Sequence, residues 1–100
     1  MLKQTRIATS TPAITAQKWI DVRIPEQFQC EHIQGALNIP LRDIQAGTFP
    51  PLAKEDILYL YCNSGRQATL AQDALQQMGY QNVINMGGIA GLKKPVVTSE

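Results

Sequence analysis

Residues 57–61, Ile-Leu-Tyr-Leu-Tyr, form an unbroken apolar run that ends in Cys62 and gives way at once to Asn63-Ser64-Gly65. A run without polar alternation predicts a strand covered on both faces, as in the middle of a parallel sheet. Ala71, Ala74, Leu75 and Met78 then recur at helical spacing, which predicts a helix over about 68–78 with Gly79 in the left-handed cap position. Strand, tight turn and helix therefore follow one another with a cysteine at the junction.

The rest of the chain repeats this alternation. Trp19-Ile20-Asp21-Val22 reads as a strand. Pro25 suits the first turn of a helix, Glu26 suits its positive end, and the helix is expected to reach His32 or Ile33 before Gly35 stops it. Ala36 to Ile39 is a second short strand closed by Pro40, followed by a helical turn carrying Leu41 and Ile44 on one face. Residues 46–51 are a loop, and Asn82 to Met86 a last strand before Gly87-Gly88. The expected fold is α/β, with a mainly parallel sheet of four to five strands flanked by helices. Residues 1–18 are expected to be a poorly structured arm, with Ile7, and Ile14 with Ala16, offering a short edge strand. The domain is expected over 19–92 and a frayed tail over 93–100.

In open parallel sheets, ligands bind outside the carboxyl ends of the strands. Three segments lie there: Asp21-Val22-Arg23, Asn38-Ile39-Pro40, and Cys62 onward. The backbone amides of Asn63, Ser64, Gly65, Arg66 and Gln67 can form a nest for an anion, reinforced by the unpaired amides and dipole of the following helix. Gly65 supplies the conformational freedom for the turn. Arg66 adds a full charge. A thiolate at neutral pH beside a seat for an anionic substrate is the expected result. The bland alternative is an inert cysteine buried at a strand end.

Composition bounds the alternatives. A net charge of +1 over 100 residues gives no global attraction to nucleic acid or anionic membrane, so anion binding must be local. No apolar stretch spans a bilayer, and residues 1–17 lack the apolar core of a signal peptide. The expected compartment is the cytoplasm, or the periplasm if a leader has been removed. Two cysteines, Cys30 and Cys62, and the single His32 cannot make a structural zinc site, so neither metal nor cofactor is expected. A Cys30–Cys62 disulfide would consume the thiol on which this chemistry depends.

The segment from Asp21 to Pro40, DVRIPEQFQCEHIQGALNIP, resembles the rhodanese pattern. YCNSGRQA, Tyr61 to Ala68, is similar to the rhodanese active-site loop, and MGYQNVINMGGI, Met78 to Ile89, to the family's closing helix, strand and double glycine. The likeness is to small one-domain members of the phage-shock-protein E type. It implies a three-layer domain, a thiosulfate sulfurtransferase working through a Cys62 persulfide, and an acceptor such as cyanide, a thiol or a thioredoxin-like protein. It also implies a monomer. Arg66 is expected to steer the donor anion, while Asp21 bonds loop backbone and Arg23 an ion-pair partner. His32 and Cys30 are expected to serve structure. The family's Trp after the double glycine is replaced here by Ile89-Ala90-Gly91-Leu92, and the outer helices look short or missing, so the pocket is expected to be shallow. A cysteine phosphatase or arsenate reductase needs a wider Cys-x5-Arg loop, whereas this chain has Cys-x3-Arg. A non-catalytic binding or sulfur-relay module on the same fold is the remaining alternative.

Overall fold

A computed structural model describes residues 16–98. The arm's Ile7 and Ile14 lie outside them. Within them, β1 (Gln17–Asp21), β3 (Leu37–Asn38), β4 (Ile57–Cys62) and β5 (Asn82–Gly88) form one parallel sheet in the order β3-β1-β4-β5. The apolar run 57–61 is indeed an inner strand, flanked by β1 and β5. Leu58 and Leu60 are fully buried on one face and Tyr61 on the other, which is why polar alternation is missing.

The first face packs on α2 (Leu41–Ala46) and α3 (Arg66–Gln77) through Ile20, Val22, Leu58, Leu60, Ile44, Ala68, Ala71 and Leu75. Removing a Leu such as Leu75 from water is worth about 1.5–3 kcal/mol. The second face packs Tyr61 with Ile33 and Ile89, joined by Trp19, Ala36, Met86 and Leu92. A two-stranded antiparallel ribbon covers part of it: β2 (Glu31–Ile33) pairs with β6 (Val96–Thr98). A short 3-10 turn, Ile89–Gly91, lies beside it in the chain. Sheet, helices and ribbon make three layers.

The strand expected over Ala36–Ile39 is only Leu37–Asn38, and β5 runs on through Gly88 rather than stopping at Met86; four further departures from the sequence expectations have a visible physical cause. The first strand begins at Gln17, two residues ahead of the expected boundary, because the Ile57 amide pairs with the Ala16 carbonyl and extends the ladder. Helix α1 (Pro25–Cys30) stops short of His32. Glu31 is extended instead, its carbonyl held by Arg23 Nη2 at 2.6 Å, and the Ile33 amide donates to the Tyr61 hydroxyl at 2.9 Å. Tertiary partners thus outbid local helix propensity. Helix α3 starts at Arg66 rather than near residue 68, because Gly65 adopts φ 91° and caps it directly. Lastly, Val96–Thr98 of the expected tail is a strand of the ribbon.

Candidate active site

Cys62 ends β4 with only 1% of its surface exposed. Its neighbour on β5 is Gly88, and the register shifts between Leu60 and Cys62. Only three residues then separate the sulfur from helix α3. Gly65 turns the backbone so that its own amide donates to Cys62 Sγ at 2.9 Å. The Gly65 carbonyl, on the other side of that residue, accepts from the Thr69 amide at 3.0 Å, the Thr69 hydroxyl at 2.9 Å and Asn85 Nδ2 at 3.0 Å. Asn85 Nδ2 also donates to Thr69 Oγ1, while Asn85 Oδ1 receives the Gly87 amide at 2.8 Å. One asparagine therefore ties the start of α3 to the double glycine.

That double glycine has a steric reason. A Cβ on Gly88 would sit 2.2 Å from the Asn63 carbonyl oxygen, and a Cβ on Gly65 would meet Gly87 Cα at 3.1 Å. The loop lies directly on bare backbone. The amides of Ser64, Arg66, Gln67 and Ala68 have no protein acceptor among the described residues. They are the unpaired donors expected at a helix start, and Ser64, Arg66 and Gln67 line the same cleft as Cys62.

A cleft of about 320 Å³ opens above Cys62. Asn63, Ser64, Arg66 and Gln67 line one side, and Ile24 and Gln27 the other. Arg66 is exposed and forms no ion pair among the described residues. A larger, flatter hollow of about 710 Å³ lies behind the loop, lined by Arg66, Thr69, Asn85 and Gly87 but not by Cys62. The Cys62 sulfur belongs to the smaller cleft.

Asp21 and Arg23 stand one step behind. Asp21 is fully buried, Arg23 is 3% exposed, and they meet at 2.7 Å. Asp21 Oδ1 also accepts the Arg23 backbone amide at 2.9 Å. The Asp21 hydrogen bond holds the Arg23 guanidinium above its ordinary value despite burial, so it stays charged. With Nη1 on Asn63 Oδ1 at 3.2 Å and Nη2 on the Glu31 carbonyl, this arginine is spent on the scaffold. Asn63 Nδ2 in turn reaches Gln27 Oε1 at 3.1 Å. Sequence reading singled out neither Gln27 nor Asn85. Asn85 sits two residues before Gly87, and its role depends on a contact with Gly65 that no local pattern announces. Tyr61 lies below the loop with its hydroxyl on the Ile33 amide, and burial pushes its phenol up, so it remains neutral.

Cys30 is exposed at the end of α1, not packed along the helix as expected, and both cysteines are free thiols. His32 lies on β2, stacked on Phe28 at 3.7 Å with Nδ1–H donating to the Phe28 carbonyl, and does not line the cleft. No cluster of His, Cys, Asp or Glu among the described residues has the makings of a metal site.

Comparison with known families identifies this arrangement. The model of the rhodanese-like domain matches residues 7–94. The chain belongs to the rhodanese-like family. Thiosulfate sulfurtransferase PspE of Escherichia coli K12 is 46% identical over 91 residues, covering 88% of this chain and 86% of that protein. A putative sulfur carrier protein of Bacillus subtilis, YrkF, is 33% identical over 67 residues, although the match spans only 36% of its length. Among solved structures, a rhodanese with anions from Escherichia coli superposes with a TM-score of 0.74 at 46% identity, over 84% of this chain and all of that one. The rhodanese-like domain of the Anabaena protein Alr3790 gives the same TM-score at 27% identity, over 82% of this chain. Of these relatives, PspE is named for transferring sulfur and YrkF for carrying it.

Proposed function

We propose that this chain is a sulfurtransferase that takes the outer sulfur of thiosulfate onto Cys62 and passes it to a thiophilic acceptor. The observation that carries this reading is the Gly65 amide aimed at Cys62 Sγ from 2.9 Å, in a cleft beside Arg66 and the free amides of the α3 start. The Cys62 thiolate attacks the outer sulfur, a new S–S bond forms, the bond inside thiosulfate breaks, and sulfite leaves with its electron pair. An amide donor fixed before the reaction stabilises charge on the sulfur without reorganising. The Arg66 side chain and the free amides of Ser64, Arg66 and Gln67 hold the sulfonate end of the donor, while the Gly65 amide stays on Cys62 Sγ. The likeness to a rhodanese with anions supports an anion seat here.

An acceptor thiolate then attacks the outer sulfur of the persulfide, and Cys62 departs as thiolate. The partners of this chain are thus a small anionic sulfur donor and a sulfur acceptor, and we assign the protein as a monomer. The phosphatase reading is disfavoured by the three-residue passage from Cys62 to α3, which leaves no room for a ring of amides around a phosphoryl group.

The test is the intact mass after incubation with thiosulfate, before and after a reducing agent. One sulfur atom gained on the native protein, none on Cys62→Ser, and loss on reduction are the expected results. A folded protein with a free thiol and no added sulfur would turn the assignment to a non-catalytic binding module. Hydrolysis of p-nitrophenyl phosphate is expected to be absent.

A further inference from the structure

The cleft over Cys62 does not end at the loop. A second hollow of about 210 Å³ continues from it toward α2, and the two share Ile24 and Gln67 as walls. Its apolar side is made by Ile24, Pro40 and Leu41, and its polar rim by Arg42, Gln45 and Gln67. Donor chemistry uses none of Pro40, Leu41, Arg42 or Gln45, because thiosulfate is small and its anion is met by Arg66 and the loop amides. The Arg42 side chain is 70% exposed. The one carboxylate within ion-pair reach among the described residues is Asp43, at 3.9 Å from Nε and itself 39% exposed, which leaves the outer guanidinium nitrogens unengaged. An exposed pair at that distance is weak. A guanidinium with free donors at the far end of a groove that begins at a reactive sulfur has the form of an anchor for a carboxylate.

We propose that this second hollow is the acceptor subsite and that it takes a low-molecular-weight thiol bearing a carboxylate, with the carboxylate on Arg42 and the thiol sulfur over the Cys62 persulfide. The inference rests on the sulfur-transfer reading above and adds the acceptor's class and place. The step balances. The acceptor thiol gives its proton to solvent, and its thiolate forms a bond to the outer sulfur. The bond between that sulfur and Cys62 Sγ breaks, and its electron pair stays on Cys62. Neither an oxidant nor a reductant beyond the thiol is needed. The apolar side suits a short aliphatic stem, and the narrow volume suits a small molecule rather than a protein loop.

The experiment is single-turnover discharge of the thiosulfate-loaded protein by four thiols: 3-mercaptopropionate and glutathione, which carry carboxylates, neutral 2-mercaptoethanol, and cationic cysteamine. Each is measured on native protein, Arg42→Gln and Arg42→Glu, so that differences in intrinsic thiol reactivity cancel. Relative to 2-mercaptoethanol, Arg42→Gln is expected to lower kcat/KM for at least one carboxylate thiol by about threefold to tenfold, the effect of one partly solvated charge-assisted contact. Arg42→Glu is expected to lower it further and to raise the relative rate of cysteamine. Equal responses of all four thiols, or none, would overturn the subsite while leaving sulfur transfer intact. Failure of the native protein to load sulfur would overturn both. Arg42-dependent discharge by a reduced thioredoxin-like protein, with the carboxylate thiols indifferent to Arg42, would reassign the groove to a protein acceptor and so overturn this proposal.

Discussion

At the scale of single residues, the site is governed by what is missing as much as by what is present. Gly88 has no side chain where the Asn63 carbonyl lies, and a Cβ 2.2 Å from that oxygen forces backbone to move. Gly88→Ala is therefore expected to displace the loop and slow sulfur loading by about a hundredfold, as misplacement near 1 Å does. Gly91→Ala is the matched control, since a Cβ there meets nothing within 4 Å, and loading is expected to be retained. The mass assay reads both, and circular dichroism checks that each is folded. Arg66 acts through charge. Because it is exposed, its contact with a bound anion is partly screened, and Arg66→Ala is expected to raise KM for thiosulfate about twofold to fivefold with little change in kcat. An unchanged KM in steady-state assays would show that the guanidinium does not meet the donor.

At the scale of elements, the apolar run 57–61, the Gly65 turn and the periodicity of α3 were legible because each is local. Strand ends and the stop of α1 were not. Helical pattern carries past Cys30, yet Arg23 and Tyr61, from β1's end and β4, capture Glu31 and Ile33 and pull the chain into a ribbon. The partner of that ribbon, Val96–Thr98, lies some sixty residues along and is exposed throughout, so no burial pattern marks it. Elements are also pinned by charge. Lys18 on β1 donates to Asp56 at 2.5 Å, just ahead of β4, and this bond holds the Asp56 carboxyl below its ordinary value. A carboxyl depressed in the folded state stabilises above its unfolded value and loses that contribution as pH falls through the folded one. Asp56→Asn is expected to melt below native protein near about pH 7, with the gap closing as the pH drops below about 4. Melting curves across that range check it; a gap independent of pH would assign the effect to packing.

At the scale of the whole molecule, the candidate site was legible wherever one stretch of chain supplied it, as in 62–67. It was illegible where distant stretches meet, as in Asn85 on Gly65 or Gln27 on Asn63. The same distinction bears on where the domain ends. We expect a chain closed after Leu92, the boundary suggested by pattern alone, to lose the pairs of Glu31, His32 and Ile33 with β6, and the Lys94 ammonium 4.7 Å above Trp19. β6 is exposed along its length and a surface cation–π contact contributes about 0.5–1 kcal/mol, so the cost should be about 1–3 kcal/mol in urea unfolding. Sulfur loading is expected to survive, since none of these residues lines the cleft.

The bed of bare backbone beneath the loop also limits how such a protein can change its trade. Diversifying residues 63–67 alone varies what lines the cleft but not its girth, because Gly87 and Gly88 act as a mould from below. A longer loop would have to lift away from that mould and give up the aim of the Gly65 amide. New chemistry on larger oxyanions would therefore demand an insertion and a reshaped β5 together, a double step that neither change rewards alone.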